Sequence, residues 1–271
     1  MFVIESAGIT DVGRKRSGNE DAFSVDGEQQ LYVVADGMGG HQAGEVASGL
    51  VVDTLRDYMR RFKEEGDVEE LNDADESLSK EANRLLSGIH LANQAVFEVS
   101  NSKDAYQGMG TTVSAVLINE DTIIAANVGD SPIYLVHDGS IEMISVLHTV
   151  MAEQEALDPE GLDQLGGEFK HMLTRAMGVE KEVQADVSEL QAFVGDILVI
   201  SSDGLTDKVA PEEIQDIVKK KKPETACRML VDLANERGGD DNITIIILKF
   251  KQSRHARTGI WGFISRLFNK E

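Results

Sequence analysis

The order of its apolar patterns is what most restricts the fold of this chain. Strand-like runs come first, then two long helical stripes, more strand-like runs, two further helical patterns and a closing strand. Strands that alternate singly with helices build parallel sheets, whereas blocks of each kind point to helices covering mainly antiparallel sheets. DAFSVD (21–26) and QQLYVVADG (29–37) read as strands paired about a turn near Asp26 and Gly27. From about His41 the residues Val46, Leu50, Val51, Leu55, Tyr58 and Phe62 recur at helical spacing, and Leu78, Ala82, Leu85, Ile89, Ala92 and Val96 form a second stripe. The acid-rich stretch between them, 63–76, reads as a solvated loop.

GTTVSAVLIN, DTIIAANVGD, SPIYLVHDG and SIEMISV are short, β-branched and split by turn residues, which predicts an antiparallel meander with Asp138-Gly139 as a two-residue hairpin turn. Residues 147–172 lose periodicity and are expected to form a surface flap. Strands are expected around 183–190 and 196–201. A helix opened by Pro211, with Glu212 and Glu213 in its first turn, follows, then a helix from about Glu224 and a last strand, NITIIILKF. The 271 residues are read as one catalytic domain, 1–250, and a tail, 251–271.

Chemistry enters through four aspartate-bearing strings: NEDAF (19–23), VVADGMGG (33–40), VISSDGLTD (199–207) and GGDDNITIII (238–247). Each sets carboxylates against a turn and an apolar run, so that the acids at strand ends converge on a cleft, where a cation would hold them together. Carboxylates without cysteine or paired histidine are hard oxygen ligands, suited to Mg²⁺ or Mn²⁺ rather than zinc. Such ions serve phosphoryl chemistry, as a phosphatase or a nuclease. A net charge of −22 opposes contact with nucleic acid backbones and disfavours the nuclease. The single cysteine, Cys227, rules out an internal disulfide and reads as core filling. No signal-peptide pattern or membrane-spanning run is found, and the expected location is cytoplasmic.

The strings RSGNEDAF, VVADGMGGHQAGEVAS, GMGTTVSAVL, ANVGDSPIYLV, MLTRAMG, DILVISSDGLTD and GGDDNITIIIL, in this order over residues 5–250, resemble the metal-dependent type 2C protein serine/threonine phosphatases in their bacterial form. The resemblance implies an α+β fold, an αββα sandwich of two mainly antiparallel sheets flanked by helix pairs, with the metal site at one end. It implies two Mg²⁺ or Mn²⁺ ions and a possible third. Asp36 would bridge two of them, Glu20 and the Gly37 carbonyl would complete one site, and Asp203 and Asp241 would serve the other. Asp130 corresponds to a ligand of the third ion, or is a turn cap. Arg16 would bind the substrate phosphate through its planar guanidinium. Asp21 would accept a hydrogen bond from water on the metal, and Asn242 would support the ligands from behind.

The implied reaction is hydrolysis of phosphoserine and phosphothreonine in proteins by a metal-activated water, with Arg16, Asp36 and Asp203 as its central residues. The implied partners are phosphoprotein substrates and a cognate Ser/Thr kinase. A non-catalytic binding or regulatory module on the same sandwich is the alternative. Three departures stand out: Met38 where animal members carry a histidine, Pro132 where GDSR is usual, and Leu147-His148-Thr149 where a DHS string is common. Beyond the resemblance, Ile260, Phe263, Ile264, Leu267 and Phe268 recur at helical spacing in a tail that also carries Arg254, Arg257, Arg266 and Lys270. That tail suits docking on the parent domain or a partner, with an anionic membrane surface ranked below them.

Overall fold

The computed structural model describes residues 2–39, 43–65, 75–158, 169 and 171–252. His41, the middle of the acidic stretch, most of the second half of the flap and the tail beyond Gln252 lie outside them. Among the described residues all strand pairings are antiparallel and form two sheets. One sheet has β1 (Phe2–Asp11), β11 (Ile243–Gln252), β10 (Ile197–Ser201), β7 (Ile133–His137) and β8 (Ser140–Met143), in that order. The other runs β2 (Asp21–Asp26), β3 (Leu31–Met38), β5 (Val113–Asn119), β6 (Thr122–Val128) and β9 (Asp186–Gln191), with the short β4 (Gly110–Thr111) paired to β3. The helices are α1 (Ala43–Glu65), α2 (Lys80–Ser102), α3 (Val150–Leu157), α4 (Asp203–Thr206), α5 (Pro211–Lys220) and α6 (Pro223–Glu236).

Three apolar layers give the four-layer αββα sandwich. Along β3 the side chains alternate, so Leu31, Val33 and Ala35 pack under α1 and α2 while Tyr32 and Val34 enter the space between the sheets. β11 does the same from the other side: Ile243, Ile245 and Ile247 face α5 and α6, and Ile246, Leu248 and Phe250 meet Tyr32 and Val34. Burial on both faces explains why these strands read as unbroken apolar runs. Cys227 fills the layer under α6, as its neighbours in sequence suggest, and burial pushes its thiol up to about 12.

Four features differ from the sequence reading. The predicted meander is two hairpins in different sheets, because β6 pairs with β5 and β9 while β7 pairs with β10 and β8. The chain crosses between sheets at 129–132, where Gly129 has φ +106° and Pro132 removes a backbone donor. The opening segment is a ten-residue strand along β11, which was not anticipated. The flap begins with α3, capped by Thr149, whose hydroxyl accepts the Ala152 N–H at 3.1 Å. The last strand runs to Gln252, two residues into the segment assigned to the tail. The Asp138-Gly139 turn does join β7 to β8, with both residues at positive φ (43° and 90°) as a type I′ hairpin demands.

Candidate active site

The two sheets end together on one side, and there a cavity of about 1170 Å³ is lined by Arg16, Glu20, Asp36, Gly37, Asp130, Asp203 and Asp241, together with Met38, Thr112, His171 and Arg175. The acids arrive from five places. Glu20 precedes β2, Asp36 lies two residues before the end of β3, Asp130 sits in the crossover after β6, Asp203 opens α4 just beyond β10, and Asp241 leads into β11. Asp21 and Asn242 do not line the cavity but brace it from behind.

Close backbone approach fixes the first of these acids. The Gly37 N–H donates to the Glu20 carbonyl at 3.1 Å, and the Ser48 hydroxyl of α1 donates to the same oxygen at 2.6 Å. A Cβ on Gly37 would lie 2.2 Å from the Gly44 carbonyl oxygen, and one on Gly44 would lie 2.4 Å from Glu20 Oε2. Gly37 and Gly44 therefore let α1 begin against the end of the strand that carries Asp36. Asn242 Oδ1 accepts the Glu20 N–H at 2.8 Å, and its amide nitrogen donates to the Val12 and Gly18 carbonyls, tying the start of β11 to the loop before β2. Thr112 Oγ1, between β4 and β5, accepts the Asp36 N–H at 3.0 Å and so helps β3 hold that residue.

Asp21 is a buried link between the sheets: its Oδ2 accepts from Thr244 Oγ1 at 2.6 Å and from Ser202 Oγ at 2.9 Å, both on the opposite sheet side. Burial, only partly offset by these hydrogen bonds and reinforced by the Asp203 charge, raises its carboxyl to about 6. Asp36 is held well above the usual carboxylate range, first by burial and then by the charges of Asp21, Asp203, Asp130 and Asp241. Asp130 is raised to about 7 by burial and by Asp203. Arg16 is paired directly to an acid of the set, with Nη2 donating to Asp241 Oδ2 at 2.7 Å. The residue expected to bind phosphate thus donates to one expected to hold the metal.

His171 was missed by the sequence reading. One ligand atom from each of Asp130, His171 and Asp203 falls within 4.8 Å of the others, and His171 also lies 3.4 Å from Asp207 Oδ2. Nothing in the irregular segment that carries it marks it out, since its place depends on how the flap returns to the cleft. Whether these residues suit a hard divalent cation is decided by the donors. They are almost all carboxylate oxygens, Asp203 Oδ1 is buried with no hydrogen-bond partner among the described residues, and Asp36 and Asp130 are held towards their protonated forms by burial and by the charges of neighbouring acids. Positive charge would relieve each of these strains, so the set fits Mg²⁺ or Mn²⁺.

With this geometry established, comparison with known proteins is direct. The family model for protein phosphatase 2C matches residues 13–239. A putative protein phosphatase 2C-type from Streptococcus pyogenes is 35% identical over 245 residues, covering 88% of this chain and 94% of the relative. A serine/threonine phosphatase stp of Listeria monocytogenes is 33% identical, with 89% and 93% covered. Among solved structures, Stp1 of Staphylococcus aureus superposes with a TM-score of 0.77 at 31% identity, covering 92% of this chain and 96% of that one. The catalytic domain of PstP in complex with two manganese ions gives 0.78 at 28% identity, with 93% and 100% covered.

Proposed function

This chain belongs to the protein phosphatase 2C family, and from that premise we propose that it removes phosphate from phosphoserine and phosphothreonine in proteins at the acidic cavity, as a metal-dependent hydrolase. The convergence of Glu20, Asp36, Asp203, Asp241 and Arg16 from both sheets on one cavity is the observation that carries the reading. Asp36, Glu20 and the Gly37 carbonyl would hold one Mg²⁺ or Mn²⁺ ion, Asp36, Asp203 and Asp241 a second, and Asp130 with Asp203 a third. Ions bound there would supply Lewis-acid activation of water and neutralise charge on the phosphoryl oxygens.

The chain's own residues have separable tasks. Arg16 offers a planar fork of donors to two phosphoryl oxygens, with Nη2 already donating to Asp241. Asp21, whose Oδ1 is buried without a partner among the described residues, provides an acceptor behind the ligands for a proton on a nearby water. Asn242 and Thr112 hold the Glu20 and Asp36 backbones so that the carboxylates need not reorganise. Met38 lines the cavity and has no proton to give, so protonation of the departing serine or threonine oxygen falls to water or another group.

The setting follows from this reaction: the enzyme opposes a Ser/Thr kinase. No helix among the described residues is long and apolar enough to cross a membrane, and we place the enzyme in the cytoplasm. Residues 1–252 form the catalytic unit, with the basic tail as a docking segment for the domain or a partner.

The decisive experiment is Asp36→Asn and Asp203→Asn assayed with a phosphothreonine peptide and Mn²⁺. Both variants should lose at least ~10³-fold in turnover, since each removes charge at the point where the transition state needs it. Without metal both should melt no lower than the parent, because a repelled carboxylate has been neutralised. Turnover within tenfold of the parent in either variant sinks the assignment.

A further inference from the structure

His148 lies outside the cavity, and neither the reaction nor the metal assignment uses it, yet it is 1% exposed and fully engaged. Its Nδ1 accepts the Gly129 N–H at 3.0 Å and its Nε2 lies 2.6 Å from Asp186 Oδ2 on β9. A backbone N–H can only donate to a lone pair, so Nδ1 is unprotonated and Nε2 carries the hydrogen given to Asp186. Arg175, on the cavity wall, donates to the same Asp186 oxygen at 2.8 Å. The main chain of His148 is equally occupied: its N–H donates to the Gly129 carbonyl and its own carbonyl accepts from Thr174, both at 2.9 Å.

Gly129 is the residue before Asp130 in the crossover between the sheets. Its φ of +106° suits glycine, and a Cβ there would lie 2.6 Å from Thr112 Cγ2. Thr112 is the residue that holds Asp36, and its hydroxyl also meets Ser131 Oγ at 2.8 Å. On one side, then, the crossover is fixed to Asp36 through Thr112. On the other it is fixed to the two ends of the flap through His148, because Thr149 caps α3 and Thr174 leads to Arg175.

We propose that His148 is a positioning residue that, as the neutral Nε2–H tautomer, braces the Gly129–Asp130 backbone so that Asp130 stands within reach of Asp203, and registers the base of the flap and Arg175 against that pair. The proposal rests on the reading that Asp130 serves the cation site. Two substitutions separate its parts. His148→Leu fills the space with no acceptor, whereas His148→Asn places a carboxamide oxygen near the former Nδ1 and keeps the acceptor for Gly129.

In the full chain, calorimetric titration with Mn²⁺ should show the weakest binding event reduced by about ten- to a hundredfold in His148→Leu, the usual effect of losing a partner behind a ligand. The kcat for a phosphothreonine peptide should fall with it while KM holds, and His148→Asn should recover most of both. Imidazole ¹⁵N resonances of the parent should report the Nε2–H tautomer. A parent ring protonated at Nδ1, or a His148→Asn protein as impaired as His148→Leu, would overturn the proposal. So would a His148→Leu protein that melts lower yet binds Mn²⁺ like the parent. Asp130→Ala distinguishes the failures: loss there with an unaffected His148→Leu removes the brace alone, and no loss in either removes the Asp130 reading with it.

Discussion

Single hydroxyls on the buried strands hold the site together. Thr244 is wholly buried in the otherwise apolar start of β11, and its one proton is spent on Asp21, so the 2.7 Å contact with Thr10 must be a bond it accepts. Thr10 accepts in turn from Asn19 at 2.8 Å, and Ser202 donates to Asp21 while accepting the Thr244 N–H. Every proton in this chain runs towards one carboxylate. Thr244→Val keeps the shape but leaves Asp21 with Ser202 as its remaining donor and Thr10 without its acceptor; it should cost about 1–3 kcal/mol in urea unfolding, the usual penalty for losing a partner of buried polar groups. A midpoint unchanged from the parent would show that Asp21 does not depend on it. In the sequence the threonine is visible as a polar intrusion in ITIIIL, and the four core acids are legible from their strand-end placement. The partners of Thr244 are not, because Asp21 lies on the other sheet and Thr10 and Ser202 come from β1 and the end of β10, distant in sequence, and His171 leaves no trace at all.

At the scale of elements, the junction of β3 with α1 makes an unusual demand. Gly44 lies in the first turn of α1, where alanine would favour the helix by roughly 1 kcal/mol. The same methyl would press on the Glu20 carboxylate. It would also lie 2.9 Å from the Gly37 backbone carbon, so Gly44→Ala should lower the melting temperature without metal and weaken Mn²⁺ binding by about tenfold or more, as expected when a metal's surroundings are displaced. Calorimetry and thermal melting on one sample decide it: tight Mn²⁺ binding in the variant would mean that Glu20 is free to move. Long periodic elements were readable from sequence, as α1, α2, α5 and α6 show. β1 was not, since FVIESAGITD mixes polar and apolar residues on an edge strand and becomes a strand through its pairing with β11. α3 buries none of its side chains and so has no apolar stripe. The crossover at 129–132 was mistaken for one more hairpin because Gly129 and Pro132 signal a turn without saying where the chain goes next.

At the scale of the whole molecule, the site is a charge problem that the fold leaves unsolved until a cation arrives. Asp21, Asp130 and Asp36 have folded pKa values raised to about 6, about 7 and well above 3.8 respectively, so the folded state keeps protons that the unfolded chain has released. Their contribution to stability is present below about pH 4 and is lost as pH rises through the folded values. In a chelator the melting temperature should fall between roughly pH 5 and 8, and Mn²⁺ should flatten that slope. A metal-free protein that gains stability over the range would contradict the raised carboxyls. The two sheets also contribute to one ion-binding pocket without sharing a strand. An ion seated there works as a clasp on a book: prising the covers apart must first expel it, so resistance to opening grows with the logarithm of free cation concentration. Starvation for divalent ions would then both silence the enzyme and loosen it, exposing the seam between its halves to proteases and making its lifetime a gauge of cation supply.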